Sequence, residues 1–208
     1  AAEGVRRYHA AGYDGIVVTD HYTEGFFGDM PADTSWRDKL DRYLTGWRAA
    51  RDAGGVLGMT VLLGLELRFA GSNNDYLVYG ATPALLEAHP ALYTLSPEVF
   101  SRFAKENGLW WAQAHPFRPG LTRCPPSCLD GLEVFNGNPR HDSHNGLAAA
   151  YAEEHGLTAI AGSDYHELPD LSGTGVRFHS EVTDNRTLLE GLRSGAFDIV
   201  RGAVPPIR

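Results

Sequence analysis

Histidine and carboxylate side chains recur directly after short apolar runs along this sequence of 208 residues. Five residues share this placement, namely His21, Glu66, His115, Asp164 and His166. Neutral imidazoles and carboxylates without a thiolate suit Zn, Mn or Fe better than a soft metal. Two such ions about 3.5–4 Å apart can clamp a phosphate and activate a water at neutral pH. The pattern therefore predicts a metal site suited to phosphate chemistry.

The pair formed by Asp164 and His166 is informative through its spacing. In an extended chain, residues i and i+2 point the same way, so both side chains can reach one metal. Any single histidine after a strand is more often a satisfied surface or core residue. Glu66 alone would pair with an arginine such as Arg68 or Arg48. The prediction of a metal site therefore depends on the placement that all five residues share.

The elements that must position these residues alternate between helix and strand. Helices are predicted over residues 3–11, 35–53, 96–107, 143–154 and 185–194. Six strands are predicted over residues 15–19, 61–69, 76–79, 109–114, 132–135 and 158–161. Their continuous apolar runs are typical of strands buried on both faces in a parallel sheet. In such α/β folds the C-terminal strand ends form the ligand-binding face.

Composition narrows the class of protein. Hydrophobic residues make up 43% and charged residues 21%, which excludes a disordered or fibrous chain. The net charge of −8 argues against nucleic acid as the main ligand. No apolar run approaches the roughly 20 residues of a membrane span, and no signal peptide is evident. The two cysteines, Cys124 and Cys128, make no disulfide scaffold, so a cytoplasmic location is predicted.

The motifs around the candidate ligands resemble, in order and spacing, those of the PHP (polymerase and histidinol phosphatase) family. They are GYDGIVVTDH at 12–21, GLE at 64–66, AHP at 114–116, GLEVFNG at 131–137 and GSDYH at 162–166. The resemblance covers residues 1–177 and implies a distorted seven-stranded (β/α) TIM-like barrel. It also implies a metal-dependent phosphoesterase holding two or three divalent ions (Zn, Mn or Fe). The metal ligands implied are His21, Glu66, His115, Asp164 and His166.

The sequence departs from the family pattern in two places. The family opens with a strand that carries His-x-His, and no such strand is present here. We therefore expect a single domain over residues 1–208 that is incomplete at its N-terminus, with the first barrel strand missing. The seam between residues 16–18 and 158–161 should stay unpaired, and metal binding and turnover should be weak. Asp75 stands near a position where many members have a histidine ligand; it either replaces that ligand or forms a turn.

Further residues are candidates for catalysis and for substrate binding. Asp20 and Asp164 are predicted catalytic residues, with Asp20 orienting an imidazole or capping the loop that follows. Arg118, close after the third motif, is the best-placed cation for bidentate phosphate binding, and Asn136 and Arg140 are further candidates. The alternative for both arginines is a solvated position on a loop.

The leading hypothesis is a phosphoesterase that hydrolyses a small phosphorylated molecule through a metal-activated water. One alternative is a non-catalytic accessory PHP domain with a decayed metal site, although the five candidate ligands are retained. Another alternative is a related metal-dependent hydrolase that cleaves a C–N bond. The oligomeric state and the substrate are left open by the sequence.

Overall fold

The computed structural model describes residues 1–167 and 170–202, and a curled half-barrel sheet lies at its centre. The strands are β1 Gly15–Val18, β2 His21–Thr23, β3 Thr60–Arg68, β4 Asp75–Tyr79, β5 Trp110–Gln113, β6 Gly131–Asn136, β7 Thr158–Gly162, β8 Thr174–Phe178 and β9 Phe197–Arg201. The helices are α1 Ala2–Ala10, α2 Glu24–Gly28, α3 Trp36–Tyr43, α4 Thr45–Leu57, α5 Pro83–Ala88, α6 Pro97–Glu106, α7 Asn145–His155 and α8 Asn185–Ser194. None of the helices in these described ranges is long and apolar enough to cross a membrane.

The main sheet has the order β1-β3-β4-β5-β6-β7, and β2 pairs with the far end of β3. The strands pair in parallel except for β4, which is antiparallel to both of its neighbours. The prediction of a largely parallel sheet is therefore wrong at β4. Residues 69–74, which join β3 to β4, are too few for the crossover that parallel strands need. Gly71, with φ of 75°, completes this short reversal.

The two edges of the main sheet are β1 and β7, and they do not pair with each other within the described ranges. A cavity of about 1450 Å³ lies beside them, and residues of α1 and β8 also line it. The sheet is thus an open half-barrel rather than a closed one. Strands β8 and β9, where no strand is predicted from the sequence, form a separate antiparallel sheet.

The predicted helix over residues 35–53 is two helices, α3 and α4, which meet at Leu44. The second helix does not end at residue 53, as predicted, but continues through Gly54 to Leu57 and is followed by Gly58 with φ of 70°. A Cβ atom on Gly54 would lie 2.5 Å from Cγ2 of Val61. Gly54 therefore allows close packing of α4 on β3 rather than terminating the helix.

The two faces of the main sheet carry different side chains because residues alternate along a strand. On β3, Leu63, Leu65 and Leu67 pack into the main hydrophobic core under the helices. Leu62 faces the interior of the half-barrel with apolar residues of β4 and β5. Glu66 lies on the same face as Leu62, four residues farther along the strand. The interior is therefore apolar along the strands and becomes acidic where β3 approaches its C-terminal end.

Candidate metal centre

Glu66 lies at the centre of the candidate site and contacts two of the predicted ligands. Its Oε2 atom is 3.0 Å from Nε2 of His21, and its Oε1 atom is 3.3 Å from Nε2 of His115. The parallel register of β2 on β3 places His21 directly beside Glu66. His115 follows β5, and its ring is buried with Glu66. The structure thus brings together His21 at the start of β2, Glu66 within β3 and His115 after β5, and the sequence predicts this convergence.

The protonation of this cluster follows from its contacts. Burial alone would raise the pKa of Glu66, but hydrogen bonds from His115 and His21 lower it to about 2. The hydrogen bond to Glu66 raises the pKa of His21. Burial lowers the pKa of His115, but Glu66 and Glu133 more than offset this effect and raise it. Because metal ligands must be deprotonated, a divalent ion between these groups would compete with the two imidazole protons.

Asp75 completes a buried set of ligand atoms with Glu66 and His115. One ligand atom from each residue lies within 4.8 Å of the others, and Oδ2 of Asp75 is 3.9 Å from Nε2 of His115. This spacing and donor set fit a divalent cation. Asp75 begins β4 instead of forming a turn, and its carboxylate accepts two hydrogen bonds from Arg68, at 2.7 and 2.8 Å. The alternative in which Glu66 pairs with Arg68 or Arg48 is therefore not what the structure shows.

Asp164 and His166 lie beside this cluster, but not for the reason given by their spacing. Asp164 follows β7 with φ of 52°, so the segment is not extended and the alternation argument is wrong here. Nδ1 of His166 is still 3.5 Å from Oδ1 of Asp164. The ring of His166 is 5.6 Å from that of His21, edge to face. The left-handed turn at Asp164 therefore brings His166 back towards the Glu66 cluster.

The carboxylate of Asp164 is occupied by Arg118. Nη2 of Arg118 donates to Oδ2 of Asp164, and its Nε donates to Oγ of Ser143 at 3.0 Å. The Arg118 side chain is 18% exposed, so it is not the solvated loop arginine of the alternative interpretation. Asn138 holds the backbone of Asp164 through a hydrogen bond of 2.8 Å from Nδ2 to the carbonyl oxygen. Arg118 and Asn138 together fix Asp164 in its left-handed conformation.

Arg140 is likewise engaged within the protein. Its Nε and Nη2 donate to the two carboxylate oxygens of Asp170, at 2.8 and 2.7 Å. Asp170 also accepts hydrogen bonds from the backbone N–H groups of His166 and Glu167, at 2.9 and 2.8 Å. The structure therefore places Arg140 where it secures the loop that carries His166.

Asn136 and Glu133 form a buried network behind His115. Oε2 of Glu133 accepts hydrogen bonds from the backbone N–H of His115 at 2.8 Å and from Nδ2 of Asn136 at 3.1 Å. Oδ1 of Asn136 accepts the N–H of Asn138 at 3.1 Å, so both ends of its amide are engaged. Burial raises the pKa of Glu133 to about 7. Sequence reasoning missed Glu133, although a charged residue inside an apolar strand is a signal for such a role.

Glu133 matters because His115 has an unusual backbone. Its φ of 30° lies in the left-handed region, which is unfavourable for a residue with a Cβ atom. The hydrogen bond from its N–H to the buried Glu133 carboxylate stabilises this conformation. Nδ1 of His115 is buried without a hydrogen-bond partner within the described part of the chain.

Asp20 lies in the loop between β1 and β2. Its backbone oxygen accepts hydrogen bonds from the Tyr43 hydroxyl at 2.8 Å and from the N–H of Glu66 at 3.0 Å. Its carboxylate makes no hydrogen bond to any described residue, so neither the capping contact nor the imidazole contact predicted for it is formed. Asp20 nevertheless lines both cavities that meet at the candidate site.

The C-terminal part of the chain matches a known family. Residues 142–197, which span α7 to α8, match the model of a PHP-associated family, PHP_C. No curated protein matches the sequence significantly.

Three solved structures share the fold over most of this chain. A two-domain protein of Bacteroides vulgatus that contains a predicted PHP-like metal-dependent phosphoesterase is 20% identical, with a TM-score of 0.63 over 94% of this chain. PsfC from Pseudomonas syringae is 17% identical, with a TM-score of 0.65 over 95% of this chain and 78% of its own. A Bifidobacterium adolescentis protein assigned provisionally as a metal-dependent phosphoesterase is 17% identical, with a TM-score of 0.51 over 92% of this chain and 89% of its own. This chain spans 58% of the length of the Bacteroides protein. At these identities the likeness establishes the fold.

Proposed function

We propose that this chain is a metal-dependent phosphoesterase acting on a small phosphorylated molecule. The PHP-associated match and the shared fold support its assignment to the PHP-domain family. One observation carries the proposal: the buried Glu66 carboxylate lies between two imidazoles and close to a second carboxylate, Asp75. Zinc, manganese and iron accept this combination of oxygen and nitrogen ligands. When bound, such ions neutralise the charge of a phosphoryl group and activate a water for attack on phosphorus.

We assign the ligand roles by position. The cluster around Glu66 would hold one ion, and the loop after β7 would supply further ligands. The proposed ligands are His21, Glu66, Asp75, His115, Asp164 and His166. These residues lie on strands or on the segments that follow them, and His115 and Asp164 have left-handed backbones.

The remaining polar residues support these ligands. Glu133 fixes the backbone of His115, and Arg118 fixes the carboxylate of Asp164. We propose that Asp20 is a catalytic residue, since its carboxylate is uncommitted to any described residue and Asp20 lines both cavities at the candidate site. Direct contact of Asn136 or Arg140 with substrate would require either side chain to leave its present partners, so we assign both to support of the site.

Metal content and hydrolysis test the proposal together. The purified chain is freed of metal with a chelator and loaded with Zn²⁺, Mn²⁺ or Fe²⁺ separately. Bound metal is then measured by elemental analysis, and hydrolysis of p-nitrophenyl phosphate is followed with each ion. We expect one or more ions per chain and metal-dependent release of p-nitrophenol.

A pair of histidine variants supplies the matched control. His115→Ala should lower the affinity for metal at least about tenfold, because it removes a buried ligand. His155→Ala, at the exposed end of α7, should leave metal content unchanged. Unchanged metal stoichiometry in a folded His115→Ala variant, as judged by circular dichroism, would contradict the proposal.

A further inference from the structure

A second cavity, of about 430 Å³, opens beside the candidate metal centre. Four predicted ligands line one side of it, namely His21, Glu66, Asp164 and His166. Its other walls come from α2, α3 and the start of α4, and they include Phe26, Arg42, Tyr43 and Gly46. A group bound at the metal centre would therefore extend into a space that is also lined by Phe26, by Arg42 and by the acidic residue Asp20.

Arg42 differs from the arginines nearest the ligands. Three of those are each bound to an aspartate: Arg68 to Asp75, Arg118 to Asp164 and Arg140 to Asp170. The guanidinium of Arg42 forms no ion pair and no hydrogen bond with any residue in 1–167 or 170–202. Among the described residues that line this cavity, Arg42 is also the one arginine or lysine.

The carboxylates close to Arg42 on α3 already have partners. Asp41 pairs with Arg48 at 2.8 Å, and Asp38 accepts a hydrogen bond from Ser35 at 2.7 Å. The charge of Arg42 is thus not neutralised on its own helix. An exposed arginine without a partner is common, but this one borders a cavity that the candidate ligands share.

The aromatic wall is held in a fixed position. The Phe26 ring packs edge to face on Phe27 and Tyr43, with centroids 5.1 and 5.5 Å apart. The hydroxyl of Tyr43 is anchored on the backbone oxygen of Asp20. Phe26 is half-buried, so part of its ring is left to contact a bound molecule.

We propose that this cavity binds the leaving group of the substrate and that Arg42 recognises a second anionic group on it. The substrate class is a phosphate monoester whose leaving group has an apolar or aromatic body, contacted by Phe26, and carries a carboxylate or a second phosphate. The inference rests on the proposed function, because it places the scissile phosphate among the four ligands on the opposite wall. Guanidinium binds either anion in the same bidentate geometry.

Three synthetic esters test this inference. Phenyl phosphate carries no second anion, 4-carboxyphenyl phosphate carries a carboxylate, and 1,4-phenylene bisphosphate carries a second phosphate. In the metal-loaded wild-type chain we expect a KM for at least one of the latter two that is about tenfold below that for phenyl phosphate, as a charged hydrogen bond provides. The lower of the two KM values identifies the second anion as carboxylate or phosphate.

Variants on a single helix assign the effect to Arg42. Arg42→Gln should abolish the preference for the two probes that carry a second anionic group and leave the KM for phenyl phosphate within about twofold. Arg37→Gln is the matched control, because Arg37 lies on the exposed surface of the same helix, 3.9 Å from Glu87, and should keep the preference. Equal KM values for all three esters in the wild type, or a preference that survives in Arg42→Gln, would overturn the inference.

Calorimetric binding of the same three esters separates this inference from the proposed function. If none of the esters is hydrolysed but their binding still shows a preference that depends on Arg42, the phosphoesterase proposal fails and the anion site stands. If all are hydrolysed and binding shows no dependence on Arg42, the phosphoesterase stands and the anion site is wrong.

Discussion

Two carboxylates line the same mouth of the half-barrel and are neutralised in different ways. Glu66 lies between the imidazoles of His21 and His115, whereas Asp164 is held by the guanidinium of Arg118. An imidazole readily gives up its proton near neutral pH, but a guanidinium does not. A divalent cation can therefore enter beside Glu66 by displacing protons. Beside Asp164 it must share the carboxylate with a permanent positive charge.

Asp75 lies beside an imidazole, like Glu66, and is held by a guanidinium, like Asp164. It belongs to the buried set with Glu66 and His115, yet both of its carboxylate oxygens accept hydrogen bonds from Arg68. Its negative charge is thus partly satisfied before any metal binds. We therefore expect the first ion to bind at the Glu66 cluster and the Asp164 side to bind metal more weakly.

The largest expected effect is on metal affinity at the Glu66 cluster. Glu66→Gln should weaken binding of Mn²⁺ or Zn²⁺ by more than about 100-fold, the upper end for removing a group that only supports a ligand. Asp164→Asn should weaken it by about tenfold, because Arg118 already shares that carboxylate. Isothermal titration calorimetry of each folded variant measures both values. Glu87→Gln, on the exposed surface of α5, serves as the control, and a larger loss in Asp164→Asn than in Glu66→Gln would reverse the comparison.

The next effect concerns stability on the Asp164 side. Arg118→Gln should lower the free energy of unfolding by about 2–3 kcal/mol, because it leaves a nearly buried carboxylate without its counter-charge. Added Mn²⁺ should recover part of this loss, since a divalent cation can replace the missing charge beside Asp164. Urea unfolding with and without Mn²⁺ measures both quantities. Arg102→Gln, on the exposed face of α6, should change neither; an equal loss with and without metal would show that Arg118 acts through packing alone.

A third effect depends on pH and concerns the loop that carries His166. Burial would raise the pKa of Asp170, but Arg140 and the N–H groups of Glu167 and His166 lower it to about 2, from 3.8. A carboxylate whose pKa is lowered on folding stabilises the folded state above its unfolded pKa and loses this contribution as the pH falls through its folded pKa. Asp170→Asn should therefore lower the free energy of unfolding by about 1.5 kcal/mol at pH 7 and by almost nothing near pH 2. The value at pH 7 already allows for the water that screens Arg140, whose side chain is 39% exposed. Urea unfolding at the two pH values measures the difference, and a cost that does not change with pH would contradict the assignment.

The convergence of His21, Glu66 and His115 could be predicted from the sequence because strand periodicity is local. Each residue follows an apolar run, and parallel strands end at the same edge of a sheet. The antiparallel direction of β4 could also be predicted from the sequence, since residues 69–74 are too few for a crossover. For these features the spacing along the chain carries the necessary information.

The arginine pairs could not be predicted in the same way. Arg118 and Asp164 are 46 residues apart, and Arg140 and Asp170 are 30 apart, so no local pattern links them. The left-handed backbone of Asp164 depends on Asn138, which reaches it from another loop. Both arginines were therefore predicted to face substrate or solvent, whereas their partners are aspartates fixed by the tertiary fold.

The smallest expected effect separates the charge of Arg118 from its position. Ser143→Ala removes the acceptor for Nε of Arg118 and leaves the ion pair with Asp164 in place. The free energy of unfolding should fall by about 1 kcal/mol, the usual net value of one hydrogen bond, because water reaches part of the Arg118 side chain. Unlike Arg118→Gln, this variant should gain no additional stability from Mn²⁺ relative to wild type, because the charge beside Asp164 is unchanged. If Mn²⁺ stabilised Ser143→Ala as well, the hydroxyl would be needed to hold the guanidinium on Asp164. The stability of the Asp164 side would then depend on the position of the Arg118 guanidinium as much as on its charge.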